Sequence, residues 1–264
     1  PGSAFKPIVY AAALEKGFAP NSIVLDAPFV ESQGVGLKNW KPENYGKKFY
    51  GPSTFRKGIE YSRNLMTVRI AKTLGLEEIL ELSKKLNIYE EIPELLSVSL
   101  GAAETTLISL TSAYASFVNG GNKIDPKLIS RIQDRRGKTI FQEKSIKCIG
   151  CDKFISNKTS ELPKIENKNK KVISEETAYQ MTSILQGAVK RGTAKKLRSL
   201  KVPIAGKTGT TNDNYDAWFI GFSSNLVIGV YIGHDNPRTL GKFETGSKAA
   251  LPIFKDFVEK VLYK

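Results

Sequence analysis

Ser3 and Lys6 stand three residues apart in Pro1-Gly2-Ser3-Ala4-Phe5-Lys6-Pro7. Three residues of α-helix turn through about 300°, so on a helix the two side chains share a face. A serine hydroxyl becomes a nucleophile when a neighbouring base takes its proton, and a lysine held neutral is such a base. Serine is also a common helix N-cap, so the pair gains its meaning from its company. Ser62-Arg63-Asn64 and Lys207-Thr208-Gly209-Thr210 follow in that order. No other serine has a lysine three residues later, and Lys-Thr-Gly occurs once. The other Ser-x-Asn, Ser223 to Asn225, lies between two strand-like runs, where those residue types are ordinary turn formers.

Each grouping needs an element to aim it. Pro7 suits the first turn of a helix, where a missing N–H costs nothing. The pattern therefore predicts a helix from about Ser3 through Leu14, ended by Gly17. Residues 20–52 read as a long loop containing Trp40-Lys41-Pro42-Glu43-Asn44-Tyr45. A short helix over Thr54 to Glu60 breaks at Tyr61-Ser62-Arg63-Asn64, which would turn Ser62 and Asn64 into a cleft. Val68, Ala71 and Leu74 continue at helical spacing to Gly75, and Leu76 to Leu86 forms another amphipathic helix. Leu107, Leu110, Tyr114 and Phe117 make a further apolar stripe. A hairpin is expected around Asp134-Arg135-Arg136-Gly137. Ser174 caps a helix through Ala188, and a shorter one runs from Ala194 to about Leu200. Val202 to Thr210, Ala217 to Phe222 and Leu226 to Ile232 read as strands, the last two joined as a hairpin. Phe254 to Leu262 reads as a closing amphipathic helix. Gly209, inside a strand, marks a place where a ligand lies against the backbone.

With 264 residues, 41% of them hydrophobic, the chain is long enough for a substantial core. Its net charge of +14 suits an anionic partner of several kinds. Residues 134–171 carry eleven Lys/Arg against five Asp/Glu, and the second half of this stretch reads as a mobile surface insertion. A nucleic-acid role finds no support, because no recognised binding fold is present and the basic segment lacks interleaved aromatics. The longest uninterrupted apolar run, Ile8 to Leu14, is far short of the ~20 residues that span a bilayer. His234 is the only histidine and lies beside the turn formers Asp235-Asn236-Pro237. Cys148-Ile149-Gly150-Cys151 could be a metal half-site, a redox pair or a disulfide. One His and two Cys do not complete a typical zinc set without carboxylates, and no βαβ context supports a thioredoxin-like role. A small structural disulfide is the preferred reading, and neither a metal nor a cofactor is expected.

Ser-x-x-Lys, Ser-x-Asn and Lys-Thr-Gly in this order resemble the signature of penicillin-binding proteins and serine β-lactamases. Trp40-x-Pro42-x-Asn44-Tyr45, Gly101-Ala102-Ala103-Glu104 and Asp216-Ala217-Trp218-Phe219-Ile220-Gly221-Phe222 extend the likeness to the transpeptidase domain of class A, bifunctional penicillin-binding proteins. The resemblance implies an α+β, β-lactamase/transpeptidase-like fold, an antiparallel sheet flanked by helices plus a mainly helical subdomain. It implies one transpeptidase domain over 1–264 with a basic surface insertion at about 134–172. In that family two strands of a five-stranded sheet precede the nucleophile helix, so three strands are expected here. A membrane anchor and a glycosyltransferase domain are expected in a preceding part of the protein, which places the enzyme outside the cytoplasm, on the periplasmic face of the membrane.

The implied reaction is serine D,D-transpeptidation, cross-linking peptidoglycan through an acyl-enzyme. Ser3 attacks the D-Ala-D-Ala peptide bond and Lys6 takes its proton. Moving a lysine from ~10.4 to near 7 costs roughly 4–5 kcal/mol of differential interaction, and burial beside Lys207 is the available cause. Ser62 relays the proton, and Asn64 meets the substrate backbone and Lys6. Lys207, Thr208, Gly209 and Thr210 receive the substrate carboxylate, and the N–H groups of Ser3 and Thr210 form the oxyanion hole. Expected partners are stem peptides and glycan strands, β-lactams as covalent inhibitors, and other cell-wall synthesis proteins. The alternatives are a serine β-lactamase, for which Glu94 is the nearest look-alike of a water-activating carboxylate, and a non-catalytic penicillin-binding sensor.

Overall fold

A helix that is apolar around its whole circumference must be surrounded by protein. Residues Ile8 to Leu14 make such a helix. The computed structural model describes residues 1–34, 36–143, 146–151, 162–167 and 169–262. In it, α1 spans Lys6–Glu15 and is buried from Lys6 through Leu14. The expected helical start at Ser3 is instead a 3-10 turn, Gly2–Ala4, leading into α1. Phe5, Ile8, Tyr10 and Leu14 join one large apolar core with residues from the helices described below.

The stretch after α1 holds structure that the loop reading did not anticipate. Ile23–Asp26 (β1) pairs antiparallel with Gly51–Thr54 (β2), with Leu25 opposite Pro52. A four-residue strand containing proline carries almost no periodic signal, which is why it read as loop. α2, Phe55–Glu60, and α3, Asn64–Leu74, follow as expected, separated by the break at Tyr61-Ser62-Arg63. Gly75, at φ 92°, ends α3, and α4 spans Leu76–Lys85. α5 runs Leu107–Val118, capped by the Thr106 side chain accepting from the Ser109 N–H. α6, Glu175–Lys190, has the expected Ser174 cap, and a 3-10 turn occupies Lys195–Ser199.

The basic stretch contributes two small antiparallel ribbons. Arg131–Gln133 (β3) pairs with Thr139–Gln142 (β4), the expected hairpin. Ile146–Ile149 (β5) pairs with Lys164–Asn167 (β6), a ribbon that the reading of a mobile insertion did not foresee. Part of that reading falls on residues 144–145, 152–161 and 168, which lie outside the described residues. Cys148 and Cys151 form a disulfide that closes the turn after β5.

The main sheet comprises Ala205–Thr210 (β7), Ala217–Phe222 (β8) and Val227–Ile232 (β9), antiparallel in that order. All six residues of β8 are buried, because helices cover both faces. Trp218, Ile220 and Phe222 face the core built on α1, α5 and α6. Ala217 and Phe219 face a second core with Leu251, Phe254 and Val258 of α7, Ala250–Leu262. This is an α+β architecture of the transpeptidase-like kind, with the first turn against the sheet and α1 packed on helices α2, α3, α4 and α6.

Candidate active site

Three elements meet at one point. The first turn and α1 carry Ser3 and Lys6, the break between α2 and α3 carries Ser62 and Asn64, and β7 carries Lys207. Both lysines are fully buried. The Lys6 amine donates to the Ser62 carbonyl at 2.8 Å and to Asn64 Oδ1 at 2.6 Å, with Ser62 Oγ at 3.4 Å. A neutral amine has two protons, so those two close acceptors account for both and leave a lone pair to accept. Lys207 donates to Ser62 Oγ at 2.9 Å and to the Thr208 carbonyl at 3.0 Å. Ser62 therefore stands between the two amines.

Burial removes water from both ammonium groups and disfavours their charged forms. It drives the Lys6 amine well below its usual 10.5. The like charge of Lys207 pushes the same way, and the Asp26 carboxylate opposes both. Lys207 is brought down to about 7 by burial. Burial thus favours the neutral form of the Lys6 amine, the form that the base role requires.

Ser3 is half-buried, and its hydroxyl makes no hydrogen bond among the described residues. Its turn is seated by close backbone approaches. The Gly2 N–H donates to the Gly101 carbonyl at 3.1 Å. A side chain at Gly101, which has φ 80°, would run into the Gly2 backbone, and one at Gly2 would run into the Thr210 carbonyl. The space beside Gly209 is filled by the Pro1 carbonyl, Ala4 and Trp218, so this glycine admits the chain's own first turn. The first turn thus lies against β7 at Gly209 and Thr210.

The threonines of β7 have partners of their own. Thr208 shares a hydrogen bond with Thr193 at 2.9 Å, and Thr210 Oγ1 accepts from the Gly246 N–H at 3.1 Å. Strand alternation puts Lys207 and Gly209 on one face and Thr208 and Thr210 on the other. Glu94, the look-alike carboxylate, is exposed and lines a groove with Trp40 and Lys72.

Sequence reasoning missed the groups that hold these residues. The buried Glu60 accepts from Arg191 Nη2 at 2.5 Å and Nε at 3.1 Å, and its carbonyl accepts from the Thr193 N–H at 3.2 Å. Gly187 and Gly192 leave room for it, since a side chain at either would collide with Glu60. Asn44 is buried, and its Oδ1 accepts from the Asn64 N–H at 2.8 Å, capping α3. Its quoted motif marked the residue without revealing a role.

A family model for the penicillin-binding protein transpeptidase domain matches residues 1–259. The chain is 45% identical over 259 residues to penicillin-binding protein 1A of Rickettsia conorii, covering 98% of this chain and 33% of that protein. Against penicillin-binding protein 1A of Pseudomonas aeruginosa the identity is 35% over 284 residues, covering 96% and 34%. The crystal structure of penicillin-binding protein 1A from Haemophilus influenzae superposes with a TM-score of 0.84 at 34% identity, covering 98% of this chain and 42% of that one. The chain spans about a third of the length of the curated relatives it matches.

Proposed function

The chain belongs to the penicillin-binding protein transpeptidase family, and on that premise we propose the residue roles and the substrate. Ser3 Oγ attacks the carbonyl of the terminal D-Ala-D-Ala bond of a stem peptide, and its proton passes to the free lone pair of Lys6. Ser62, between Lys6 and Lys207, hands its proton to the departing D-alanine amine as the C–N bond breaks and takes the proton that Lys6 received, which returns Lys6 to its neutral form. The donor peptide remains as an ester on Ser3. The side-chain amine of a second stem peptide then attacks that ester, returns the proton to Ser3 Oγ through Lys6, and leaves a cross-link. The Ser3 and Thr210 N–H groups serve the developing oxyanion. Lys207 provides a cation for the substrate carboxylate, whose arrival favours its charged form. Thr210, at the end of the same strand, supplies the hydroxyl. Thr208 fixes the strand through its hydrogen bond with Thr193.

The observation that carries this reading is the hydrogen-bonded set of Ser62 and Asn64 with the buried Lys6 and Lys207, beside an uncommitted serine hydroxyl. Residues 1–264 act as one transpeptidase domain, with the stretch at 134–172 as its basic surface insertion. The complete protein also carries a glycosyltransferase and a membrane anchor, works on the periplasmic face, and meets glycan strands and other cell-wall synthesis proteins. A fluorescent penicillin should label the full-length protein, fail on Ser3→Ala, and label Lys6→Ala roughly 10²–10⁴-fold more slowly, the usual worth of a positioned base. Undiminished labelling of Ser3→Ala refutes the assignment.

A further inference from the structure

Asp26 is fully buried on β1 and takes no part in the proton path described above. An isolated carboxylate in such a place is costly, so its partners define its purpose. Its Oδ1 accepts from Asn44 Nδ2 at 2.7 Å. Its Oδ2 makes no hydrogen bond and faces Arg63 Nε at 3.8 Å. Arg63 is the middle residue of Ser62-Arg63-Asn64, and its guanidinium carbon lies over the Tyr50 ring, 3.2 Å from the centroid.

An ionised carboxylate can only accept hydrogen bonds, so the amide that meets it must present its NH2. Asn44 therefore turns its Nδ2 to Asp26 and to the Lys48 carbonyl, at 2.7 and 2.8 Å. Its oxygen is left to accept from the Asn64 N–H at 2.8 Å and the Leu65 N–H at 3.4 Å. A flipped Asn44 would set a donor against those N–H groups. The same turn contains Ser62 at φ 59°, a left-handed backbone that non-glycine residues rarely hold without support. Asn64, once capped and fixed, puts its Oδ1 2.6 Å from the Lys6 amine.

We propose that Asp26 is the positioning residue for the Ser62-Arg63-Asn64 turn. Its carboxylate fixes the Asn44 amide and the Arg63 guanidinium, and through them aims Asn64 at Lys6. The assignment rests on the acyl-enzyme reading, because it concerns how the base of that reaction is held. Asp26 also supplies a negative charge opposing the depression of the Lys6 amine. The titratable and charged groups around Lys6 and Asp26 are Lys207 from β7, Arg63 from the turn, and Tyr10 one turn along α1. Tyr10 is held neutral by burial.

The test uses the full-length protein and a fluorescent penicillin, with the acylation rate followed against pH. Asp26→Asn keeps the shape and removes the charge, and Asp26→Ala removes the acceptor as well. Ser3-dependent acylation should persist in both, slowed roughly tenfold to a hundredfold by misplacement of the base. In Asp26→Asn the rise of rate with pH, which follows deprotonation of Lys6, should also move to lower pH. A merely structural role would lower the melting temperature and leave that limb in place, and this result overturns the proposal. Wild-type rate and limb in Asp26→Asn overturn it too, even if Asp26→Ala fails to fold. Wild-type protein that is not acylated at Ser3 removes the acyl-enzyme reading instead, and the proposal with it.

Discussion

Replacing Lys207 by methionine should make the domain more stable at neutral pH and inactive. In the unfolded chain the amine keeps its usual 10.5, and in the fold burial brings it to about 7. Between those values the unfolded chain binds more protons, so stability rises with pH across that window and the penalty is fully present below it. A gap of roughly 3.5 pH units at about 1.4 kcal/mol each sets a ceiling near 5 kcal/mol. The penalty is about 4 kcal/mol at pH 7, where the folded amine is half titrated, and about 1 kcal/mol at pH 10. Methionine has similar reach and no charge to desolvate. It forfeits the hydrogen bonds to Ser62 Oγ and the Thr208 carbonyl, worth about 1 kcal/mol each. The net is a gain of about 2 kcal/mol at pH 7 and a loss of about 1 kcal/mol at pH 10. For a domain of this size that is roughly 4–8 °C up and 2–4 °C down in this domain's melting transition. Calorimetry on full-length wild type and Lys207→Met at the two pH values reads both. A variant less stable at pH 7, or a difference that keeps one sign, refutes the reasoning.

Three further outcomes follow from the packing. Gly101→Ala sets a Cβ against the Gly2 backbone at a positive φ, so it should cost about 2–3 kcal/mol and slow acylation; a melt within 1 °C of wild type contradicts this. Arg191→Ala strips Glu60 of its two-pronged partner and leaves Arg56 at 3.7 Å, for a loss of about 3 kcal/mol by urea denaturation. Replacing Cys148 and Cys151 with serine opens only a tiny loop, worth roughly 2 kcal/mol in the chain-entropy model. Its acylation rate should stay within about twofold of wild type, and a tenfold loss would tie that ribbon to the active site.

The candidate reacting groups could be picked out because chemistry constrains their types and spacing. Ser3, Lys6, Ser62, Asn64 and Lys207 come from three separated segments, and the structure brings those segments together. The long amphipathic helices and the strands β7 to β9 were legible because burial on one or both faces imposes a period. The supports were not. Asp26 and Asn44 meet across 18 residues of a stretch without periodicity, and Glu60 meets Arg191 across 131. Such pairs leave no mark on local sequence. Gly209 shows the same limit, since its type pointed to a ligand against the backbone, while Pro1 and Ala4 of this chain occupy the space beside it.

The central claim is that this site transfers an acyl group to an amine rather than to water. A β-lactamase positions a water with a carboxylate, a step typically worth 10²–10⁴ in rate. Here Glu94 is exposed and away from the cluster, and Asp26 is committed to Asn44 and Arg63. The direct measurement is the lifetime of the penicilloyl ester on the full-length protein, followed by mass spectrometry of the peptide containing Ser3 after excess penicillin is removed. The adduct should persist for many minutes or longer, be absent in Ser3→Ala, and form slowly in Lys6→Ala. Clearance within seconds, with catalytic turnover of penicillin, would contradict the account and make the site a β-lactamase.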